Sequence, residues 1–240
     1  MKIAVFSDVH ANLPALEAFF KDLDSREVDA VYCLGDLVGY NVWPNEVIAE
    51  IRKRKIPTIA GNHDLKVKKL KRDEGLEVDY AYHIGSDSAR EYLRTLPRFL
   101  RLQYEFGSEK VNFLFVHGSY RRIDEYLLED LEETYVLDVL QEADAGIIFC
   151  GHTHKPYHRI LQTPDSFKHI INVGAIGKPK DGNPKGCYVI LSLHNNSTLQ
   201  KSDGIEVEFV RCDYDVEKAA KAVEDSLLPN EFAERLRRAF

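Results

Sequence analysis

Five short apolar runs in this 240-residue chain each lead into aspartate, asparagine or histidine. The runs are KIAVFS, AVYCLG, IPTIAG, VNFLFV and AGIIFC, and the polar residues that follow them are Asp8, His10, Asp36, Asn62, His63, Asp64, His117, His152 and His154. Short apolar runs bounded by turn residues are typical of buried strands, so the pattern predicts five strands. In an open α/β sheet, ligands gather at the carboxyl ends of the strands. We therefore expect polar side chains that are far apart in sequence to meet at one edge.

Amphipathic segments between the runs predict helices, and this alternation is typical of an α/β protein. Asn12 is expected to cap the first helix, and Ser88 with Glu91 is expected to form the capping box of a later one. The other expected helices cover residues 44–54, 134–143, 216–227 and 231–240. Two hairpins are expected, one that turns at Gly107 and Ser108 and one formed by YHRIL and HIINV. The sequence has no repeat or linker, so residues 1–240 are predicted to form a single domain.

Charge and cysteine usage exclude several classes of partner. A net charge of −7 is unfavourable for binding long nucleic acids, because phosphate neutralisation supplies most of their non-specific affinity. No apolar run approaches the roughly 18 residues of a membrane span, so no membrane partner is expected. The four cysteines form no CxxC pair and lie in or beside apolar runs, which predicts reduced, buried thiols and a cytoplasmic protein. A homo-oligomer remains open.

The polar residues at the strand ends are suited to metal ions. Two carboxylates, one amide and four imidazoles make a mixed nitrogen and oxygen set without thiolate, which suits divalent transition metals. Seven side chains are too many for one tetrahedral ion, and they suit two ions about 3.5–4 Å apart that share a carboxylate. The set favours Mn and leaves Fe, Ni, Co and Zn as alternatives. Such a pair of ions binds a phosphate and generates hydroxide at neutral pH.

Five sequence blocks, SDVHAN, GDLVGY, GNHD, VHGS and GHTH, resemble those of the calcineurin-like metallophosphoesterases. The similarity is greatest to the small bacterial and archaeal branch without a cap domain, and GAIGKPKDGNP resembles a late loop of that branch. The resemblance implies a four-layer α/β sandwich of two sheets, with a dimetal site and a bridging hydroxide at the carboxyl ends of the strands. In that arrangement Asp8, His10 and His154 hold one ion, Asn62, His117 and His152 hold the other, and Asp36 bridges them.

The same resemblance assigns catalytic roles to His63 and Asp64. His63 would touch no metal and would stabilise the phosphoryl oxygens or protonate the leaving group, while Asp64 would orient its ring. A leaving alkoxide needs a proton, which an imidazolium near neutrality can supply. Among residues outside the blocks, Arg121, Arg122 and the basic segment 66–72 are weaker candidates for phosphate contacts. Tyr40, Trp43, Tyr120 and Tyr157 are expected to pack rather than to stack on a nucleobase.

The predicted function is metal-dependent hydrolysis of a small phosphoester, with a nucleotide among the candidate substrates and phosphodiesters preferred over monoesters. Hydrolysis of dinucleoside polyphosphates and of phosphoproteins are alternatives on the same fold. A catalytically inactive scaffold is an alternative of another class, and it is disfavoured because every ligand position is filled. A nuclease that acts on polynucleotides is disfavoured by the acidic charge balance.

Overall fold

The computed structural model describes residues 1–68, 76–106 and 109–240. Within these ranges the chain forms nine strands, which are β1 (Lys2–Phe6), β2 (Ala30–Cys33), β3 (Phe99–Phe106), β4 (Glu109–Val116), β5 (Ile147–Cys150), β6 (Tyr157–Gln162), β7 (Phe167–Asn172), β8 (Gly186–Ser192) and β9 (Glu206–Cys212). The same ranges contain eight helices, which are α1 (Leu13–Leu23), α2 (Pro44–Lys53), α3 (Asn62–Lys68), α4 (Leu76–Ile84), α5 (Asp87–Thr95), α6 (Glu133–Glu142), α7 (Val216–Glu224) and α8 (Glu231–Arg238). The turn expected at Gly107 and Ser108 lies outside the described residues, as do residues 69–72 of the basic segment.

The strands form two mixed sheets. In the first, with strand order β2-β1-β8-β9, β1 is parallel to β2 and antiparallel to β8. In the second, with strand order β3-β4-β5-β7-β6, the three central strands β4, β5 and β7 are parallel. The antiparallel registers of β3 with β4 and of β6 with β7 confirm the two predicted hairpins.

The two sheets pack face to face, and helices cover their outer faces. Ile3 and Val5 of β1 lie in the core between the sheets, whereas Ala4 and Phe6 lie in the core beneath α1 and α2. Both faces of β1 are therefore buried, because successive side chains of a strand point to opposite faces. Helix α6 packs on the outer face of the second sheet through a third core. The result is the four-layer α/β sandwich that the sequence resemblance implied.

The first helix begins where its sequence predicts. The side-chain oxygen of Asn12 accepts a hydrogen bond from the backbone N–H of Ala15 at 3.2 Å, and Pro14 occupies the first turn. This bond satisfies one of the N–H groups that the start of a helix leaves without an intrahelical partner. The four cysteines are buried and free, as predicted.

Two local predictions are wrong. The run IPTIAG forms only a single bridge, between Cys33 and Thr58, instead of a strand. Pro57 has no N–H to donate, and the N–H of Ala60 bonds to the carbonyl of Pro97 instead of a neighbouring strand. The cap of α5 is Ser86, whose Oγ accepts a hydrogen bond from Ala89 at 3.1 Å, while Ser88 lies within the helix.

The last two helices lie close to the edge where the ligands gather. They pack on each other through a small core, and the ring of Phe232 in α8 contacts Tyr40 with centroids 5.2 Å apart. Among the described residues, no helix has the length and apolar character that crossing a membrane requires.

Candidate metal centre

The predicted ligands lie where strands of both sheets end. Asp8 and His10 follow β1, and Asp36 follows β2, its parallel neighbour. His117 follows β4, and the two histidines of GHTH follow β5, which is parallel to β4. Parallel neighbours end at the same edge, so each sheet delivers its side chains to one place. Asn62 arrives by another route, at the start of α3.

The backbone at these positions adopts a conformation that is rare for residues with side chains. Positive φ angles occur at Asp8 (56°), His10 (48°), Asp36 (52°), His152 (65°) and His154 (59°). A left-handed conformation costs roughly 1–2 kcal/mol at a residue other than glycine. Strain of this kind clusters at functional sites, because tertiary structure must hold it in place.

The first group of side chains is formed by Asp8, His10 and His154. The Nε2 atom of His154 lies 3.1 Å from Oδ1 of Asp8 and 3.2 Å from Nε2 of His10. The Nε2 atom of His10 is in turn 3.6 Å from the same Asp8 oxygen. All three residues are buried. Ligands bound to one ion at about 2.0–2.2 Å lie roughly 3–4 Å from each other, so these separations match a shared ion.

A second group lies beside the first. The Nε2 atom of His117 is 3.0 Å from Oδ1 of Asn62 and 3.3 Å from Oδ2 of Asp36. His152 belongs to the same group, with its ligand atom within 4.8 Å of those of Asp36 and His117. The Oδ2 atom of Asp36 also lies 3.6 Å from Nε2 of His10 in the first group. Asp36 therefore connects the two groups, and Oδ1 of Asp8 also approaches the second group, 3.9 Å from Nε2 of His117.

Three imidazoles are oriented by carbonyl groups. The Nδ1 atoms of His10 and His117 lie 3.0 Å from the carbonyl oxygen of Val38 and 2.9 Å from that of Leu34. Nδ1 of His154 faces the carbonyl oxygen of Lys178. A carbonyl oxygen accepts a hydrogen bond, so Nδ1 of each ring carries a proton and Nε2 faces the cluster. Such bonds to the other ring nitrogen are what usually orient metal-binding histidines.

Two buried atoms in the cluster need a partner that the protein does not supply. Oδ1 of Asp8 and Nε2 of His152 form no hydrogen bond with any described residue. Buried polar atoms are nearly always satisfied, and an unsatisfied one in a native fold commonly indicates an ion or a water. Both atoms point to the groups defined above, so the residues fit a divalent cation.

The charges in the cluster also favour a cation. Burial opposes the ionisation of Asp8 and Asp36. Nearby imidazoles outweigh this effect and hold the pKa of both carboxyls below its usual value. The main contributor is His154 for Asp8 and His117 for Asp36. Burial likewise opposes a charge on His117, yet Asp36 and Asp8 raise its pKa to about 9. Burial lowers the pKa of His154 to about 4, which leaves that ring neutral at pH 7. The centre thus contains two ionised carboxylates that positive charge stabilises.

His63 lies next to the two groups, and its ligand atom is within 4.8 Å of those of His10 and Asp36. Its ring packs against His10 and Tyr40, with centroids 5.1 and 4.8 Å away, and its Nδ1 forms no hydrogen bond with described residues. Burial lowers its pKa to about 3, so the ring is neutral at pH 7. Burial thus disfavours the imidazolium that protonation of a leaving group would need. A neutral ring can still donate a hydrogen bond through its N–H group.

Asp64 bonds to backbone amides and not to the His63 ring that it was expected to orient. Its carboxylate accepts hydrogen bonds from the backbone N–H groups of Asp36 at 2.8 Å, of Leu37 at 2.9 Å and of Gly61 at 2.9 Å. Burial and the charge of Asp36 raise the pKa of Asp64 to about 6. Asp64 therefore holds the backbone that carries Asp36, the residue between the two groups.

The weaker sequence candidates have other partners. Arg121 forms a salt bridge of two 2.7 Å contacts with Glu142, and Arg122 pairs with Asp124 at 3.1 Å. Tyr157 is buried and donates a hydrogen bond to a backbone carbonyl group.

Sequence reasoning did not identify two residues beside the cluster. Tyr126 stacks on the His152 ring with centroids 4.3 Å apart and remains 50% exposed. Lys178 is only 1% exposed, and its ammonium group lies 4.7 Å above the ring of Tyr40. Tyr126 lies in a loop without a motif, so its sequence gives no signal. Lys178 belongs to GAIGKPKDGNP, and the resemblance of this segment to a family loop indicates no role for its lysines.

Comparison with known proteins assigns the family. A model described as the calcineurin-like phosphoesterase superfamily domain matches residues 1–196. The chain belongs to this superfamily. An uncharacterized protein of Methanocaldococcus jannaschii is 30% identical to this calcineurin-like phosphoesterase over 251 residues, which cover 98% of this chain and 96% of that protein.

Two solved structures extend this comparison. A metallophosphoesterase from Sphaerobacter thermophilus is 28% identical with a TM-score of 0.77, and the match covers 100% of this chain and 99% of that one. A hypothetical protein from Pyrococcus horikoshii is 21% identical with a TM-score of 0.83, over 100% of this chain and 98% of that one, and it shows the same fold. The chain is thus a phosphoester hydrolase of the calcineurin-like superfamily, and its cluster of histidines and aspartates is suited to divalent metal ions.

Proposed function

We propose that this calcineurin-like phosphoesterase hydrolyses small phosphodiesters at a centre of two divalent metal ions. The observation that carries the proposal is the convergence of the predicted ligands on two adjoining groups, with Asp36 in the second and 3.6 Å from His10 of the first. The buried, unsatisfied atoms of Asp8 and His152, one in each group, support an ion in each. Mixed carboxylate, amide and imidazole ligands favour Mn over metals that prefer thiolate.

The assignment of ligands follows the two groups. Asp8, His10 and His154 would hold one ion, and Asn62, His117 and His152 would hold the other, with Asp36 shared between them. Two divalent ions supply the hydroxide nucleophile at neutral pH and neutralise the charge of the phosphate. The protein contributes fixed positions for its ligands, because carbonyl groups orient three imidazoles and Asp64 fixes the backbone of Asp36.

His63 has the role of a hydrogen-bond donor in this proposal. Its neutral ring stabilises charge that develops on a phosphoryl oxygen, and loss of such a preorganised donor typically lowers kcat about 10²–10³-fold. The His63 ring is held between Tyr40 and His10, so the donor needs little reorganisation during the reaction.

Tyr126 supports a diester rather than a monoester as substrate. Its half-exposed ring stacks on His152, at the rim of the proposed metal centre. A phosphodiester has a second organic substituent that can lie against this aromatic surface, whereas a monoester has none. Stacking of a base or another aromatic group on such a ring is typically worth about 1–3 kcal/mol.

The experiment compares bis-(p-nitrophenyl) phosphate with p-nitrophenyl phosphate in the Mn-loaded protein, before and after chelation. We expect hydrolysis of both to require metal and kcat/KM to be higher for the diester. Replacement of Tyr126 by Ala should lower kcat/KM for the diester about tenfold and change that for the monoester less than about twofold, since 1.4 kcal/mol corresponds to a factor of ten. Tyr120→Ala is the matched control, because Tyr120 is exposed in the same loop and packs against Phe99. Equal losses for both substrates would contradict the diester preference.

Metal content separates the proposal from its alternatives. Two ions per chain after reconstitution would agree with the proposed centre, and less than one would favour a scaffold without catalysis. Hydrolysis of dinucleoside polyphosphates or of phosphoproteins in preference to bis-(p-nitrophenyl) phosphate would favour one of the related activities on this fold.

We also propose that residues 1–240 form one metallophosphoesterase domain, because strands from both ends of the chain share the first sheet. Four buried, free thiols support a location in a reducing compartment such as the cytoplasm.

A further inference from the structure

Lys178 is a buried lysine whose ammonium group has no anionic partner among the described residues, and burial lowers its pKa to about 7. It lies in the loop of residues 173–185, between β7 and β8, and is 1% exposed. Its Nζ atom forms no hydrogen bond with described residues and lies over the face of Tyr40, 4.7 Å from the ring centroid. A buried ammonium group is costly without a paired anion, and a cation–π contact offsets only part of that cost.

Lys180 provides a second uncompensated charge from the same loop. It is half-buried, and among the described residues its ammonium group has neither an ion pair nor a hydrogen bond, although its backbone N–H bonds to the carbonyl of His154 at 3.2 Å. The backbone contact with His154 places this residue beside the proposed metal centre, where the charges of Asp8 and Asp36 act against the lowering of its pKa by burial. Ions bound to those carboxylates would neutralise them and leave the lysine charge available to a ligand.

The charged groups around these lysines do not remove the excess. Arg235 of α8 adds a further positive charge nearby, but its guanidinium donates to Glu231. Lys185, at the end of the same loop, is paired with Asp213 at 2.9 Å. Lys178 and Lys180 are thus the lysines of this loop that have no ion pair among the described residues, and they lie on the side of the centre formed by His154.

We infer that the substrate carries a second phosphate group next to the scissile one, and that Lys180 binds this group while the buried charge of Lys178 adds to its stabilisation. The inference rests on the proposed function, because the metal centre must hold the first phosphate. It names the substrate class as small phosphoesters with two phosphate groups. Tyr126 stacks on His152 of the other ligand group, so the organic substituent and the second phosphate would contact different sides of the site.

The test uses two ligands that differ by a single phosphate group, thymidine 3′,5′-bisphosphate and thymidine 5′-monophosphate. Their dissociation constants are measured by isothermal titration calorimetry with the Mn-loaded full-length protein. We expect the bisphosphate to bind more tightly to the wild type. Lys180→Gln should weaken binding of the bisphosphate about tenfold, since a hydrogen bond to a charged group is typically worth at least that factor. The same variant should weaken binding of the monophosphate less than about twofold. Lys180→Arg should retain most of the preference.

Lys185→Gln removes the same charge from the same loop and should leave the preference unchanged. Equal weakening of both ligands by Lys180→Gln, equal binding of both ligands to the wild type, or no binding of the bisphosphate would overturn the second subsite. Hydrolysis of bis-(p-nitrophenyl) phosphate by the same preparation reports separately on the proposed function. Activity without the ligand preference would reject only the subsite, whereas absence of activity would reject the proposed function.

Lys178→Met distinguishes a binding role from a structural one. Removal of a buried charge without a partner should raise the Tm, while binding of the bisphosphate should weaken. A lower Tm with unchanged preference for the bisphosphate would show that Lys178 serves packing alone, and would remove it from the subsite.

Discussion

The position of the His63 ring depends on a glycine at residue 39. Gly39 has a φ of +93°, and a Cβ atom built on it would lie 2.9 Å from Nδ1 of His63. Gly39→Ala should therefore displace the ring in addition to straining the backbone, which costs roughly 1–2 kcal/mol in the left-handed region. We expect kcat for bis-(p-nitrophenyl) phosphate to fall at least about tenfold, because a misplaced donor loses transition-state stabilisation. Metal content should remain at the wild-type value.

Gly182→Ala is the matched control for this variant. Gly182 also has a positive φ, of +78°, but a Cβ atom there would meet nothing within 4 Å. Both variants should lose similar free energy of unfolding in urea titrations, and only Gly39→Ala should lose turnover. If the two variants retained equal kcat, the His63 ring would not need its present position.

At the scale of single residues, the sequence predicted which side chains lie at the site more reliably than which groups they bond to. Asp8, Asp36 and the four predicted histidine ligands lie together as expected, because strand ends determine where their side chains begin. His63 and Asp64 are adjacent in sequence, which suggests that one orients the other. In α3, however, successive side chains point about 100° apart, and they face different parts of the molecule. Only the three-dimensional structure shows that Asp64 binds backbone amides around Asp36.

Among the strands, β6 and β7 contain a histidine pair that should make stability depend on pH. His158 Nε2 lies 2.9 Å from His169 Nδ1, and His169 is fully buried. Burial lowers the pKa of both rings, that of His169 to about 3. In the unfolded chain, with a pKa of about 6.5, the same rings take up protons first. The contribution of each neutral ring to the free energy of unfolding is therefore fully present above pH 6.5. It is lost as the pH falls toward the pKa of the folded state.

For His169 alone, the free energy of unfolding should decrease by about 2 kcal/mol between pH 7.5 and pH 5. Urea titrations at both pH values measure this change in the wild type and in His169→Gln, which lacks the titrating ring. The variant should be less stable at pH 7.5 but should lose less stability on acidification. An unchanged pH dependence in His169→Gln would exclude the pair as its source.

Strands and helices with strong patterns were predicted correctly, and those fixed by tertiary contacts were not. Both hairpins and the capped first helix follow from local sequence, because turn residues and the Asn12 cap act over a few residues. IPTIAG has the composition of a strand, but its backbone groups bond to β2 and to Pro97 without forming a continuous ladder. Tyr126 lies on a loop between β4 and α6, and loops carry little periodic signal from which a contact with His152 could be predicted.

At the scale of the whole molecule, the proposed metal centre joins the two sheets. The first sheet supplies Asp8, His10 and Asp36, and the second supplies His117 and the two histidines that follow β5. Bound ions would connect the sheets at an edge where several residues have positive φ. Because the unfolded chain does not preserve such a site, metal binding should appear as stability of the folded state.

Thermal unfolding with and without Mn²⁺ measures this coupling. At a free metal concentration of about 100 times Kd, each bound ion should contribute about 2.7 kcal/mol, which corresponds to a rise in Tm of roughly 5–10 °C per ion for a protein of this size. Addition of a chelator should reverse the rise. Asp36→Asn removes a carboxylate that both ligand groups share and should abolish most of the shift, whereas Asp213→Asn, at an exposed carboxylate, should retain it. A shift in Tm that survives Asp36→Asn would show that the bound metal lies elsewhere. The stability of the sandwich would then not depend on metal bound at the cluster between its sheets.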